Sequence, residues 1–221
     1  MVARRPGSAI LVAILALVLG LAAGAPAGRP APSIVYRLRP DPRLCPSPLC
    51  GGYFASEVNR TRTTCADGTA RPACHALEID TSRVLLPAQW AQLQRRLTFD
   101  QVLVAGTLTT VPAQNGLPAE DRLVASTVWR STTTAPSAKP IWLVVDTGVR
   151  CVANPCFSLR ATLVNSSRTA KLSALRGWNR AIPRRGLLAA GTIVGVPNAG
   201  PVGTGRELAA SRVWLPVIPA G

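Results

Sequence analysis

The sequence predicts a mainly β (α+β) fold made of two small β-barrel modules in tandem, each with one short helix and each stapled by local disulfides. Three observations predict it. Short apolar segments alternate with polar residues and end at glycine or proline, six cysteines fall into three close pairs, and one segment recurs at an offset of 85 residues.

The N-terminal 27 residues predict a secretory signal peptide. Arg4 and Arg5 give a positive start, and the apolar run Ala9–Ala23 is shorter than the ~20 residues that a membrane-spanning helix needs. Ala25-Pro26-Ala27 fits a small-x-small cleavage site, so we expect a cut before Gly28. We therefore predict a secreted, periplasmic or cell-envelope protein, with a retained membrane anchor as the alternative.

The chain without this segment is strongly basic, with 23 basic and 10 acidic residues and a net charge of +13. Such a charge favours an anionic envelope polymer or anionic lipid as a partner, or another secreted protein, and we do not expect nucleic acid. The alternative is biased composition, because the basic residues are nearly all arginine and are spread along the chain.

The cysteines predict three short-range disulfides, since an exported chain meets an oxidising compartment. The expected pairs are Cys45 with Cys50, Cys65 with Cys74, and Cys151 with Cys156. Each closes a short loop, which is worth about 2–3 kcal/mol in the chain-entropy view. Zinc is the rival interpretation, but the sequence has no Cys-x2-Cys and only one histidine. We therefore predict no metal and no cofactor.

The repeat relates Ala76–Trp129 to Ala161–Trp214 without a gap. Within it, residues 103–129 and 188–214 share eleven identities in 27 positions, so both segments should form the same supersecondary unit. A competing alignment pairs the Cys45 and Cys50 loop with the Cys151 and Cys156 loop, because an Asp precedes each loop and an Asn follows nine residues later. The sequence leaves both alignments open.

The first module shows the pattern of five strands and one helix. Strands are expected at 34–39, 53–59, around 77–80, at 102–108 and at 123–129. The helix begins near Pro87 and presents Trp90, Leu93 and Leu97 at i, i+3 and i+7. The resulting order β-β-β-α-β-β is that of an OB-type barrel.

The second module should be similar but shorter. Strands are expected at 141–146, 159–165, 187–193 and 208–214, with a short helix carrying Leu175, Trp178 and Ile182. One strand of the OB-like order is missing from this pattern. The predicted organisation is therefore a signal peptide at 1–27, a first module at 28–130, a linker at 131–139 and a second module at 140–221.

Two glycines and two tryptophans recur in the repeat. Gly106 and Gly191 interrupt predicted strands, where a glycine usually marks a bulge or a sharp bend. Trp129 and Trp214 end the last predicted strand of each module, and we expect them to cap the hydrophobic core rather than to stack on a ligand.

Four motifs connect the sequence to a known family. They are Arg-Leu-Cys-Pro-Ser-Pro-Leu-Cys-Gly-Gly-Tyr-Phe at 43–54, Val-Asn-Arg at 58–60, Cys-Ala-Asp-Gly at 65–68 and Arg-Cys-x4-Cys at 150–156. This pattern resembles a family of uncharacterised secreted bacterial domains, and the likeness spans nearly the whole mature chain. The resemblance implies secretion and disulfides but supplies no activity.

Few residues suggest catalysis. His75 is the only histidine, and Glu78 and Asp80 share one face of the same predicted strand. A packed histidine and a solvated strand face are the simpler interpretations, and Asp41 and Asp146 should cap turns before the cysteine loops. We predict a binding or interaction module that is not an enzyme. The alternatives are a secreted inhibitor that uses its disulfide loops, and a hydrolase around Glu78, Asp80 and His75.

Overall fold

The computed structural model describes residues 33–43, 51–97, 100–113, 119–201 and 203–218. The predicted signal peptide at 1–27 and the predicted Cys45–Cys50 disulfide lie outside these residues. The described residues form thirteen strands and one helix: β1 (Ile34–Pro40), β2 (Tyr53–Glu57), β3 (Thr63–Thr64), β4 (Ala70–Arg71), β5 (Cys74–Asp80), α1 (Pro87–Gln94), β6 (Val102–Val111), β7 (Glu120–Ser131), β8 (Ile141–Asp146), β9 (Leu159–Leu163), β10 (Thr169–Leu172), β11 (Ala174–Arg176), β12 (Leu187–Val196) and β13 (Gly205–Pro216).

The mainly β prediction is confirmed. In residues 34–131, called the first half below, strand pairing runs β1–β2–β5–β7–β6 and returns to β1. The β5–β7 pair is parallel and α1 lies between β5 and β6 in the chain, as in an OB-type barrel. β2 and β5 share only three residue pairs, so the barrel is only partly closed.

Residues 141–216, the second half, pair in the order β10–β9–β8–β12–β13, and β11 adds to β13 in parallel. The third strand of the second half, counted after β8 and β9, is thus split into β10 and β11 around Ser173. The predicted second helix was wrong, because Leu175 lies in β11 and pairs with Leu208. Gly177 then takes a φ of +93° close to the carbonyl of Ala210, which leads the chain away from helical geometry.

The predicted first helix is confirmed. Pro87 occupies its first turn, and the Gln89 side chain accepts a hydrogen bond from the Leu86 backbone N–H at 2.9 Å. Trp90, Leu93 and the following Leu97 are buried against the first-half core. The i, i+3, i+7 spacing therefore predicted both the helix and its buried face.

Two of the predicted disulfides are present. Cys65 bonds Cys74, and Cys151 bonds Cys156, each with Cα atoms 5.5 Å apart. The first joins the segment after β3 to the start of β5, and the second closes a loop between the antiparallel strands β8 and β9. Each disulfide thus links two residues of the same half, the first disulfide in the first half and the second in the second half.

Among the residues that the structure describes, buried apolar side chains form three clusters. One cluster fills the first half around Leu38, Val104 and Leu123, and another fills the second half around Val144, Leu187 and Leu208. A third contains residues from both halves and is named the shared cluster. Its buried members are Val35, Val58, Leu103, Ala105, Trp129, Ile141, Val164, Leu188, Ala190 and Trp214.

The shared cluster explains a departure from the predicted alternation. A strand with one solvated face exposes every second residue, yet Val102 to Gly106 are all buried. Val102 and Val104 face the first-half core while Leu103 and Ala105 enter the shared cluster. Trp129 and Trp214 also lie in this cluster, which confirms their predicted core role.

The strand register defines which residues of the two halves are equivalent. Val35 pairs with Ala105 on β6, and Ile141 pairs with Ala190 on β12. The offset of 85 residues therefore holds for β6 with β12 and for β7 with β13. For β1 with β8 and for β2 with β9 the offset is 106, which follows the competing alignment of the cysteine loops. The gapless match of Ala76 to Ala161 is wrong, because the second half is 21 residues shorter in total between β9 and β12 than the first half is between β2 and β6, partly through the loss of α1.

Two equivalent asparagines join the halves. Asn59 accepts a hydrogen bond from the Ile141 N–H at 2.9 Å and donates to the carbonyls of Ile141 and Val164 at 2.7 and 3.1 Å. Asn165 makes the equivalent hydrogen bonds to the first half. It accepts from the Val35 N–H at 2.9 Å and donates to the carbonyls of Val35 and Val58 at 2.8 and 3.0 Å.

Both asparagines have positive φ, 60° for Asn59 and 57° for Asn165. Asparagine tolerates this left-handed conformation better than most residues. Each side chain thereby satisfies backbone groups at the edge of the shared cluster. The pair is called the asparagine clamps below.

Tyr36 on β1 supplies a spectroscopic test of the first-half core. It is almost fully buried, and burial, helped by the negative charges of Glu57 and Asp121, raises the pKa of its phenol to about 12. The chain has two tyrosines, so a Tyr53→Phe variant reports Tyr36 alone. We expect its phenolate absorbance to appear with a midpoint near pH 12.

The same shift has a consequence for stability. Because the folded pKa lies above the ordinary value of 10, the contribution of Tyr36 is complete below pH 10 and is lost as the pH rises towards 12. A phenolate midpoint near pH 10 in native protein would contradict this placement of Tyr36. Circular dichroism at each pH separates ionisation from unfolding.

Candidate functional site

A group of polar side chains gathers at one end of the first-half barrel. Asp41 directly follows β1, His75 is the second residue of β5, and Glu120 begins β7. β5 and β7 are parallel, so both start at this end. The strand register brings the end of β1 to the same place, because Arg39 pairs with Phe54 on β2 and Phe54 pairs with His75 on β5. Loops between strands one and two and between strands four and five border ligand sites in OB-type barrels.

His75 lies at the centre of this group. Its Nε2 is 2.8 Å from the Gly51 carbonyl oxygen and 3.3 Å from Asp41 Oδ2. Its Nδ1 is 3.1 Å from Glu120 Oε2. Both ring nitrogens therefore face oxygen atoms of neighbouring residues.

Asp41 is held by Arg43. The guanidinium donates to both carboxylate oxygens at 2.7 to 2.9 Å, and the Arg43 backbone N–H donates to Oδ1 at 3.0 Å. These bonds, with the nearby His75, lower the pKa of Asp41 to about 2. The predicted turn-capping role of Asp41 is confirmed, and Asp146 caps its own turn by accepting from the Gly148 N–H at 2.8 Å.

Phe54 on β2 adds an aromatic surface to the group. Its ring centre is 5.4 Å from that of His75, with the planes tilted by 58°. The Arg43 guanidinium lies 5.5 Å from the Phe54 ring centre, which is cation–π distance. Asp41, Arg43, Phe54, His75 and Glu120 are named the mouth cluster.

The surroundings of the mouth cluster are acidic. Asp121 is next to Glu120 and accepts a hydrogen bond from the Ala66 N–H at 3.2 Å. Burial raises the pKa of Asp121, and the charges of Asp67 and Glu120 act in the same direction. Asp67 pairs with Arg71 at 3.1 Å. This end of the barrel therefore holds four carboxylates, Asp41, Asp67, Glu120 and Asp121, and two arginines, Arg43 and Arg71, although the whole chain is basic.

One set of potential metal ligands converges near this end, formed by Cys65, Cys74 and Asp121. The two sulfur atoms are bonded to each other, which leaves a single carboxylate. In the mouth cluster, Asp41 and Glu120 approach opposite nitrogens of the His75 ring. Neither arrangement has the converging ligands that a divalent cation requires.

The structure does not assemble the hydrolase residues considered from the sequence. Glu78 forms an ion pair with Arg122, and Asp80 accepts hydrogen bonds from the Ser82 N–H and hydroxyl at 3.0 and 2.6 Å. Of that trio only His75 joins the mouth cluster. Its partners Asp41 and Glu120 lie 34 and 45 residues away in the chain, so no local motif signalled them.

A comparison with protein families matches residues 34–220 to one family model, a domain of unknown function named DUF6748. The chain belongs to the DUF6748 family. The match covers all thirteen strands, and it confirms the predicted resemblance to a family without an assigned activity. No curated protein and no solved structure matches the chain.

The DUF6748 domain also has a cleft of about 260 Å³ beside β13, lined in part by Trp178, Arg180 and Arg212. Arg212 is only 2% exposed, donates from Nε to the Ser131 hydroxyl at 2.8 Å and stacks on Trp214 at 4.9 Å. These contacts tie β13 to the end of β7. Arg212 therefore has a structural role, and the mouth cluster remains the better candidate for ligand recognition.

The described part of the chain contains no helix that is long and apolar enough to cross a bilayer.

Proposed function

We propose that this DUF6748 protein is an exported, non-catalytic binding module of the cell envelope or extracellular space, and that the mouth cluster binds a hydroxyl-rich ligand such as an oligosaccharide. The observation that carries the proposal is the juxtaposition of Phe54, Arg43 and Glu120 around a fully engaged His75. The cluster lies at the end of the barrel where OB-type folds commonly bind oligosaccharides or oligonucleotides.

The chemistry of the cluster favours a saccharide over a nucleic acid. Carboxylates accept hydrogen bonds from sugar hydroxyls, guanidinium groups donate to sugar oxygens, and an aromatic ring packs on the apolar face of a sugar. A phosphate backbone would instead meet Asp41, Asp67, Glu120 and Asp121. Their combined charge repels polyanions locally, although the chain as a whole attracts them.

The engaged state of His75 supports a binding role over a hydrolytic one. A general base needs a free nitrogen within hydrogen-bond reach of the proton it removes. Here Nε2 faces Gly51 and Asp41, and Nδ1 faces Glu120. The ring therefore serves to position two carboxylates and the loop at Gly51.

Export is supported by the two disulfides, which persist in oxidising compartments. The predicted signal peptide agrees with this assignment. Mass spectrometry of protein recovered from culture medium and envelope fractions should find a chain that begins at Gly28 and has no free thiols.

The binding proposal is tested by screening the oxidised protein on immobilised bacterial envelope oligosaccharides and titrating the best binder by calorimetry. We expect Phe54→Ala and Glu120→Gln each to weaken binding by at least about tenfold, since a lost stacking or charged hydrogen bond is worth roughly 1–3 kcal/mol. Glu78→Gln is the matched control, because Glu78 lies on the same half but bonds Arg122 instead.

Two results would overturn the proposal. One is the absence of retention on every saccharide at low salt. The other is equal binding by Phe54→Ala and the wild type. A single-stranded oligonucleotide included in the screen should bind more weakly than the saccharide, and tighter oligonucleotide binding at the mouth cluster would replace the saccharide assignment.

A further inference from the structure

Exposed apolar side chains concentrate in one loop of the second half. Among the described residues, five large hydrophobic side chains are exposed, and three of them lie between β8 and β9. They are Val149, Val152 and Phe157, which are 49%, 109% and 36% exposed. Residues 147–158 are named the apolar loop. Clustered exposed hydrophobic side chains commonly mark an interaction surface.

The apolar loop is held in place by its own contacts. Cys151 bonds Cys156 across it, and Thr147 donates from its N–H and its hydroxyl to the Ser158 carbonyl at 2.9 and 2.8 Å. Arg150 binds both carboxylate oxygens of Asp146 at 3.0 and 2.8 Å. These contacts reduce the cost of ordering the loop backbone on binding.

Positive charge surrounds the base of this loop. Arg160 follows the loop by two residues and pairs directly with Lys171 across β9 and β10, and both are exposed. Like charges placed opposite each other destabilise a sheet, so this pair carries a structural cost. Arg206 is also exposed and follows Gly205, which lies against Pro155 of the loop.

The second half as a whole is far more basic than the first. Residues 141–216 contain ten basic and two acidic residues, a net charge of +8. Residues 34–131 contain eleven basic and eight acidic residues, a net charge of +3. Asp146, one of the two acidic groups in the second half, is already bound by Arg150. The surface at the base of the apolar loop therefore carries excess positive charge.

We propose that the apolar loop docks this protein on an anionic lipid surface, with Val149, Val152 and Phe157 entering the boundary between headgroups and acyl chains. Arg160, Lys171 and Arg206 then lie at the level of the anionic headgroups. Apolar insertion and basic attraction add together in peripheral membrane binding, and each is weak alone. This surface is separate from the mouth cluster, so it is independent of the saccharide proposal.

The test is sedimentation of the oxidised protein with vesicles of phosphatidylglycerol and phosphatidylcholine, compared with phosphatidylcholine alone. We expect retention on the anionic vesicles that falls as salt is raised. Val152→Ser combined with Phe157→Ser should reduce the partition coefficient by at least about tenfold, because two apolar side chains no longer leave water. Leu86→Ser is the control, since Leu86 is an exposed large hydrophobic side chain, 52% exposed, that lies in the first half.

The charge contribution is tested separately. Arg160→Gln with Lys171→Gln should lower binding to anionic vesicles several-fold, whereas Arg83→Gln on the first half should not. Equal binding to neutral vesicles, or wild-type binding by the loop variant, overturns the proposal. So does binding of the loop to a purified secreted enzyme with no affinity for vesicles. Phe54→Ala should leave vesicle binding unchanged, which keeps this test distinct from the saccharide screen.

Discussion

Replacing Asn59 with alanine should destabilise the protein by about 3 kcal/mol or more, measured as the free energy of unfolding in urea under oxidising conditions. The change removes three hydrogen bonds and leaves the Ile141 N–H without its acceptor. It also places alanine at a φ of 60°, which asparagine tolerates better. Asn165→Ala should have a similar effect, because its contacts mirror those of Asn59.

Two further substitutions separate the causes. Asn198 has a φ of 53° but is exposed in the loop after β12, so Asn198→Ala measures the backbone cost alone, about 1 kcal/mol. Asn59→Gly relieves the backbone strain and keeps the loss of hydrogen bonds. If Asn59→Ala were no more harmful than Asn198→Ala, the asparagine clamps would not contribute to joining the halves.

Replacing Gly106 or Gly191 with alanine should cost about 3 kcal/mol or more, or prevent folding, because overpacking against rigid backbone is poorly absorbed. A Cβ on Gly106 would lie 2.3 Å from the Val124 carbonyl oxygen, and one on Gly191 would lie 2.3 Å from the Ala209 carbonyl oxygen. Both glycines sit where the register shifts along β6–β7 and β12–β13, which confirms the predicted bulges.

Gly195 provides the comparison within the same strand as Gly191. A Cβ there would find its nearest neighbour, Thr204 Cγ2, at 3.8 Å, so Gly195→Ala should change stability by less than about 0.5 kcal/mol. Thermal unfolding of the three alanine variants side by side gives the ranking. A Gly106→Ala protein as stable as Gly195→Ala would mean that the bulge accepts a side chain.

Local sequence patterns predicted the parts of the fold that depend on neighbours in the chain. The bulges at Gly106 and Gly191, the helix at Pro87 and the Cys65–Cys74 and Cys151–Cys156 bridges all follow from spacings of a few residues. The helix expected around Trp178 failed for one local and one distant reason. Gly177 has a positive φ, and Leu175 pairs in parallel with Leu208, so the chain is extended there.

The features that depend on distant residues were not predictable in this way. Leu103 and Leu188 follow buried strand patterns, but nothing in their periodicity shows that they meet in one cluster. Likewise His75 was noticed because it is the only histidine, whereas Asp41 and Glu120 became its partners only through the β1, β5 and β7 pairing. The positions of Asn59 and Asn165, nine residues after their cysteine loops, likewise do not show that each side chain binds the backbone of the opposite half.

The asparagine clamps bind main-chain atoms, so the hydrogen bonds between the halves depend little on which side chains surround them. Asn59 and Asn165 bind the N–H and carbonyl groups of Ile141 and Val35, which any residue except proline supplies. The joint therefore places few demands on side chains away from the shared cluster. Substitutions in the acidic aromatic mouth of one half or in the basic hydrophobic loop of the other should therefore leave these joining hydrogen bonds intact.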